Sequence, residues 1–156
     1  MPADPLALDR QVCFALAVAS RTVIGVYRPV LDELGLTHPQ YLVMLALWER
    51  SPRTLRDISD ALYLEPATVT PLLKRLEAAG YLTRERSTTD PRALDVELTA
   101  AGRDLRDRAV EVPGTIVDRL RMPLAELERI RDDLTGLIAA STSASEALHD
   151  TAVHPR

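Results

Sequence analysis

The sequence predicts a mainly α fold that carries one small β-hairpin. Three observations lead there. Aromatic residues make up only 4% of the chain, apolar residues recur at steps of three and four over most of its length, and the period switches to two between residues 81 and 98. The 156 residues suffice for one domain with its own core. The single cysteine, Cys13, excludes an internal disulfide. No run of eighteen wholly apolar residues occurs, and MPADPLALDR at the N-terminus has neither the basic nor the apolar region of a signal peptide. The expectation is a cytoplasmic chain with no membrane span.

From Leu8 to Leu34, apolar residues at 12, 16, 19, 23, 27, 30 and 34 describe one long amphipathic helix, which Pro29 should bend or interrupt. Gly35 is a candidate helix stop, and Thr37 with Gln40 forms a T-x-x-Q capping box before the apolar run YLVMLALW. That run reads as a buried core helix. Two short helices follow. Thr54 with Asp57 opens the first, and Glu65-Pro66 opens the second, with Pro66 in the first turn where its missing N–H costs little. Two short helices, a tight turn and a stop at Gly80 make a helix-turn-helix.

After Gly80, YLTRERS and ALDVELT alternate as half-buried strands joined through the turn-rich TTDPR. A hairpin in that place is a wing. Thr99 then starts a further helix, interrupted at VPGT, and a last helix over roughly 124–140 places Leu127, Ile130, Leu134, Leu137 and Ile138 on one stripe. Residues 141–156, small and polar, are expected to be a flexible tail. The architecture is therefore a winged helix-turn-helix lobe at 37–99 within a single domain, flanked by dimerisation helices at 8–36 and 100–140.

The net charge of −4 argues against nucleic acid only as an average. Residues 50–92 hold eight basic and six acidic side chains, and are net positive, whereas the segments on either side are net negative. On a helical wheel, Val69, Leu72, Leu73 and Leu76 fall together, opposite Ala67, Thr68, Thr70, Pro71, Lys74 and Arg75. Short side chains at the N-terminal half and cations at the C-terminal half suit a helix in the major groove. The wing adds Arg84, Arg86 and Arg92. Arg92 at the tip is suited to the minor groove, with Asp90 placed to hold its guanidinium. Two such modules about 34 Å apart would read a palindrome in double-stranded DNA.

The pieces QVCFAL, VYRPVLDELGLTHPQYLVMLALWE, LYLEPATVTPLLKRLEAAGYLTRERS and DPRALDVELT resemble the MarR family, and within it the organic hydroperoxide resistance regulators, from about Leu8 to Ile138. The resemblance implies a dimeric DNA-binding repressor whose Cys13 is oxidised by organic hydroperoxides, whereupon DNA is released. It also implies Tyr27 as a phenol supporting the thiol in trans, and Asp90 with Arg92 as the wing-tip pair. Two departures stand out: His38 and Ala17 occupy positions where the family often has aromatic residues. His38 is then a substitute donor, and Tyr41 the next candidate phenol.

Helix geometry agrees with action in trans. Fourteen residues separate Cys13 from Tyr27, which share a face to within roughly 40° but lie ~21 Å apart along the axis. Antiparallel packing of two copies about Ser20 would bring Cys13 of one chain to Tyr27 of the other. With one cysteine per chain, and with that antiparallel register disfavouring a Cys13–Cys13 bond across the dimer, a sulfenic acid has three remaining fates: a mixed disulfide with a small cellular thiol, a cyclic sulfenamide, or overoxidation. The alternatives are a regulator of the same fold released by a small phenolic ligand, with Cys13 a bystander, and a thiol peroxidase. Against the peroxidase stand the missing resolving cysteine, general base and cofactor motif; three scattered histidines offer no metal-ligand spacing.

Overall fold

The computed structural model describes residues 4–153, with side chains as far as Ala147. The chain order is α1 (Val12–Asp32), α2 (His38–Glu49), β1 (Arg53–Thr54), α3 (Leu55–Leu62), α4 (Pro66–Ala78), β2 (Leu82–Arg86), β3 (Leu94–Leu98), α5 (Ala100–Ala109), α6 (Val112–Leu120) and α7 (Leu124–Val153). It divides into two compact units, one ending at Ile116 and one beginning at Val117.

The first helix starts later than its apolar period suggests. Residues Leu8–Arg10 form a 3-10 turn, and Gln11 is the N-cap of α1. Pro29 lies inside α1 without ending it, contrary to the interruption expected. The residue four positions earlier, whose carbonyl the proline ring crowds, is Gly25, and the helix tolerates the missing hydrogen bond there. Only Val30 and Leu31 of α1 are buried, while Val12, Phe14, Leu16 and Val23 are exposed. By length and composition this helix would also suffice to cross a membrane, with a mean hydropathy of 1.3, although Arg21 and Arg28 lie within it.

Both capping boxes form. Thr37 Oγ1 accepts the Gln40 N–H and Gln40 Oε1 accepts the Thr37 N–H; Thr54 and Asp57 do the same for α3. These reciprocal bonds fix where α2 and α3 begin. Gly35 and Gly80 take positive φ angles of 70° and 83°, which closes the ends of α1 and α4. The core of the first unit gathers Val43, Met44 and Leu47 of α2, Ile58 of α3, Leu73 and Leu76 of α4, and Val96 of β3, all essentially solvent-free.

The wing is an antiparallel hairpin with Leu82 opposite Leu98 and Arg84 opposite Val96. A third strand joins it, because β1 pairs with β3 in the order β1-β3-β2. The break after α5 falls at Val110–Glu111, earlier than VPGT: Pro113 is the second residue of α6, a position that needs no intrahelical N–H bond. In the second unit α7 runs thirty residues to Val153 instead of stopping near 140. No Gly or Pro intervenes between Gly136 and Pro155, so the stretch expected to be flexible continues the helix; residues 154–156 of that stretch lie outside the described residues. Ile130, Leu134, Leu137 and Ile138 on α7 are exposed.

Candidate functional site

The α4 helix divides as its wheel predicts. Val69, Leu73 and Leu76 are buried, Leu72 is half-buried, and Ala67, Thr68, Pro71, Lys74 and Arg75 are exposed. Thr70 is half-buried, and its Oγ1 donates to the Pro66 carbonyl at 2.9 Å. Pro71 leaves α4 continuous. Its missing N–H frees the Ala67 carbonyl on the same face as Lys74 and Arg75. This face presents small groups, a hydroxyl and two cations.

Two expectations for the wing need correction. Arg84 does not project freely: its Nε and Nη2 donate to Glu77 Oε2 at 3.0 and 2.7 Å, and its backbone N–H to Oε1 at 3.1 Å. Asp90 does not grip the Arg92 guanidinium, since its Oδ1 accepts the Arg92 backbone N–H at 3.0 Å. That bond is a local Asx turn, which shapes the tip and leaves the Arg92 side chain exposed. Arg86 is exposed as well.

Between the wing and the starts of α3 and α4 runs an open groove of about 750 Å³, bordered by Arg56, Asp60, Pro66, Asp90 and Arg92 among others. Arg56, exposed in the first turn of α3, is a candidate DNA contact that the wheel of α4 could not reveal. The excess of cations in residues 50–92 was the available signal.

Cys13 is exposed, as the second residue of α1. The first intrahelical bond there runs from the Ala15 N–H to the Gln11 carbonyl. The N–H groups of Val12, Cys13 and Phe14 therefore have no acceptor within the helix, and the positive end of its dipole lies at the thiol. Tyr27, His38 and Tyr41, by contrast, come together. Tyr27 lies 5.7 Å from His38 and 6.3 Å from Tyr41, ring centroid to ring centroid, and Tyr41 lies 6.4 Å from Trp48. Burial pushes both phenols above their ordinary range, with the neighbouring Tyr27 adding to the rise at Tyr41. Burial lowers His38 below its ordinary value, which opposes the positive charge that would make it a cationic partner for a thiolate. Two donor phenols and a neutral imidazole thus stand at one end of α1 and the thiol at the other.

A smaller cleft of about 240 Å³ opens between α2 and the α5–α6 junction, lined by Tyr41, Leu45, Trp48, Arg106, Val110 and Pro113 among others. No group of three or more His, Cys, Asp or Glu side chains suited to a metal occurs among the described residues.

Residues 36–94 match the model of the MarR family. The organic hydroperoxide resistance transcriptional regulator of Bacillus subtilis is 39% identical over 135 residues, which cover 86% of this chain and 92% of that protein. Among solved structures, reduced AbfR bound to DNA is 34% identical with a TM-score of 0.72, over 86% of this chain and 94% of that one; AbfR comes from Staphylococcus epidermidis. Disulfide-formed AbfR is also similar, at 34% identity and a TM-score of 0.61, over 89% of this chain and 92% of that one. Together with the winged lobe and the lone exposed thiol, these matches decide the assignment: the chain belongs to the MarR family of DNA-binding transcriptional regulators, in its organic hydroperoxide resistance branch, and is of the one-cysteine kind.

Proposed function

We propose that this protein is a cytoplasmic homodimeric repressor that senses organic hydroperoxides by oxidation of Cys13 and then releases its operator. Residues 8–36 and 100–140 pair two copies, and residues 37–99 hold DNA through Ala67, Thr68, Thr70, Pro71, Lys74, Arg75, Arg86 and Arg92. The observation that carries the reading is the position of Cys13: exposed, in the first turn of α1, on the helix face whose far end bears Tyr27. The exposed Val12, Phe14, Leu16 and Val23 give α1 an apolar surface that a second copy would cover. Packed antiparallel about Ser20, the two helices bring each Cys13 to the partner's Tyr27, with His38 and Tyr41 behind it.

The chemistry follows from that arrangement. The Cys13 sulfur, as the thiolate, attacks the terminal oxygen of the hydroperoxide. The S–O bond forms as the O–O bond breaks, and the alkoxide leaves as the alcohol after taking a proton from a phenol or solvent. Sulfur is oxidised by two electrons and the peroxide reduced by two. A small cellular thiol then attacks the sulfenic acid, expelling water and leaving a mixed disulfide. With no second thiol in the chain, the mixed disulfide persists until an external thiol reduces it, and the protein serves as a sensor.

The test is a gel shift on the region upstream of the chain's own gene, with wild type and Cys13→Ser, before and after cumene hydroperoxide and then a thiol reductant. Wild type should release DNA on oxidation and rebind after reduction, while Cys13→Ser stays bound. Release of both proteins would refute the reading. It would favour the alternative of a regulator released by a small phenolic ligand, for which the cleft bearing Tyr41, Trp48 and Arg106 is the natural seat.

A further inference from the structure

We infer that Glu77 is a positioning residue for DNA binding, a strut that holds the wing at a fixed angle to the α4 recognition helix. The inference rests on the DNA-binding reading of that lobe and adds to it a residue that touches no DNA.

Glu77 stands in the last turn of α4, and Arg84 lies in the middle of β2. Between helix and strand runs only the short connection Ala79–Tyr81, where Gly80 takes a φ of 83°. The carboxylate spans this corner. One of its oxygens accepts the Arg84 backbone N–H at 3.1 Å, and the other accepts Nε and Nη2 at 3.0 and 2.7 Å. Three bonds to the carboxylate, two of them from the charged guanidinium, set both distance and orientation. The hydrogen bonds from the Arg84 side chain hold the Glu77 carboxyl below its ordinary range, so it is ionised at neutral pH.

The leverage is considerable. Arg84 faces Val96 across the hairpin, and the tip begins at Ser87, about 10 Å further along the strand. A tilt of about 10° at the strut moves the tip by nearly 2 Å, which is enough to take Arg92 out of contact with a groove. Arg84 therefore serves the wing by aiming it, in place of the direct DNA contact first expected of it.

Glu77→Gln separates this role from simple electrostatics. Removing a negative charge near DNA would by itself strengthen binding; loss of the strut weakens it. On a duplex spanning the upstream region, we expect Glu77→Gln to bind about tenfold more weakly than wild type. At saturating protein it should lose hydroxyl-radical protection at the flanks, where the wing lies, while guanine N7 protection in the major groove persists. Equal or tighter binding, uniform loss at both places, or a variant unfolded by circular dichroism would each overturn the inference. If wild type itself gives neither protection, the DNA-binding reading fails, and the two failures are thus distinct.

Discussion

The ring of Tyr27 on α1 meets that of His38 on α2 edge to face, with centroids 5.7 Å apart and planes at 72°. The contact joins the helix proposed to pair two copies to the first helix of the DNA-binding lobe. Because burial lowers His38 below its ordinary 6.5, the unfolded chain takes up this proton first as pH falls. The stability owed to the neutral ring is fully present above about pH 6.5 and is lost as pH falls through the lower folded value. Urea midpoints should therefore decline on acidification below about pH 6.5, and less steeply in His38→Gln. Equal slopes would show that His38 titrates alike in both states.

Tyr27→Phe removes one hydroxyl and little packing. If that hydroxyl stabilises the reacting sulfur or the departing alkoxide, cumene hydroperoxide should oxidise Cys13 about tenfold more slowly, with DNA affinity of the reduced protein unchanged. Timed thiol titration measures the rate. An unchanged rate would remove Tyr27 from the sensor.

The DNA face gives a prediction in salt. Arg86 and Arg92 are exposed on the wing and Lys74 on α4. Replacing any one of them by Ala should lower the slope of log affinity against log salt by about 1 if each meets a phosphate. Arg92→Ala should also relax preference for a narrow minor groove if it enters one. Titrations at several salt concentrations check both.

Much of this lobe was legible because its signals are local. Thr37 with Gln40 and Thr54 with Asp57 cap helices through residues three apart, and the alternation of Leu94, Val96 and Leu98 sets a strand face whatever surrounds it. Features that depend on distant partners were not. Two residues, Arg53 and Thr54, show no periodicity, so β1 appears only once β3 lies beside it. Alternation along the strand places Arg84 on the face of Leu82, but its capture by Glu77 depends on how sharply the chain turns at Gly80. Tyr63 takes a left-handed φ of 54° in the turn of the helix-turn-helix, where sequence would favour Gly or Asn. The proposed sensor site was half legible: Tyr27, His38 and Tyr41 do cluster, whereas Cys13 lies exposed at the far end of α1.

Gly102 was not singled out by sequence, yet it is tightly constrained. A Cβ there would lie 2.0 Å from the Tyr81 carbonyl oxygen, a backbone atom that itself accepts the Thr99 N–H. Gly102→Ala should destabilise the fold by about 3 kcal/mol, read as a drop in thermal midpoint. The Trp48 indole N–H donates to the Gly102 carbonyl at 2.9 Å, and Trp48→Phe should cost about 1 kcal/mol through that bond, apart from the smaller ring's lost packing. A Gly102→Ala protein as stable as wild type would contradict the described approach of α5 to the wing.

The most direct test of a sensor completed by its partner uses a heterodimer of one Cys13→Ser chain and one Tyr27→Phe chain, purified through two tags. Its single thiol belongs to the chain that lacks the phenol, so only Tyr27 of the other chain can serve it. This thiol should therefore react with cumene hydroperoxide at the wild-type rate. Oxidation as slow as in the Tyr27→Phe homodimer would contradict completion of the sensor by its partner.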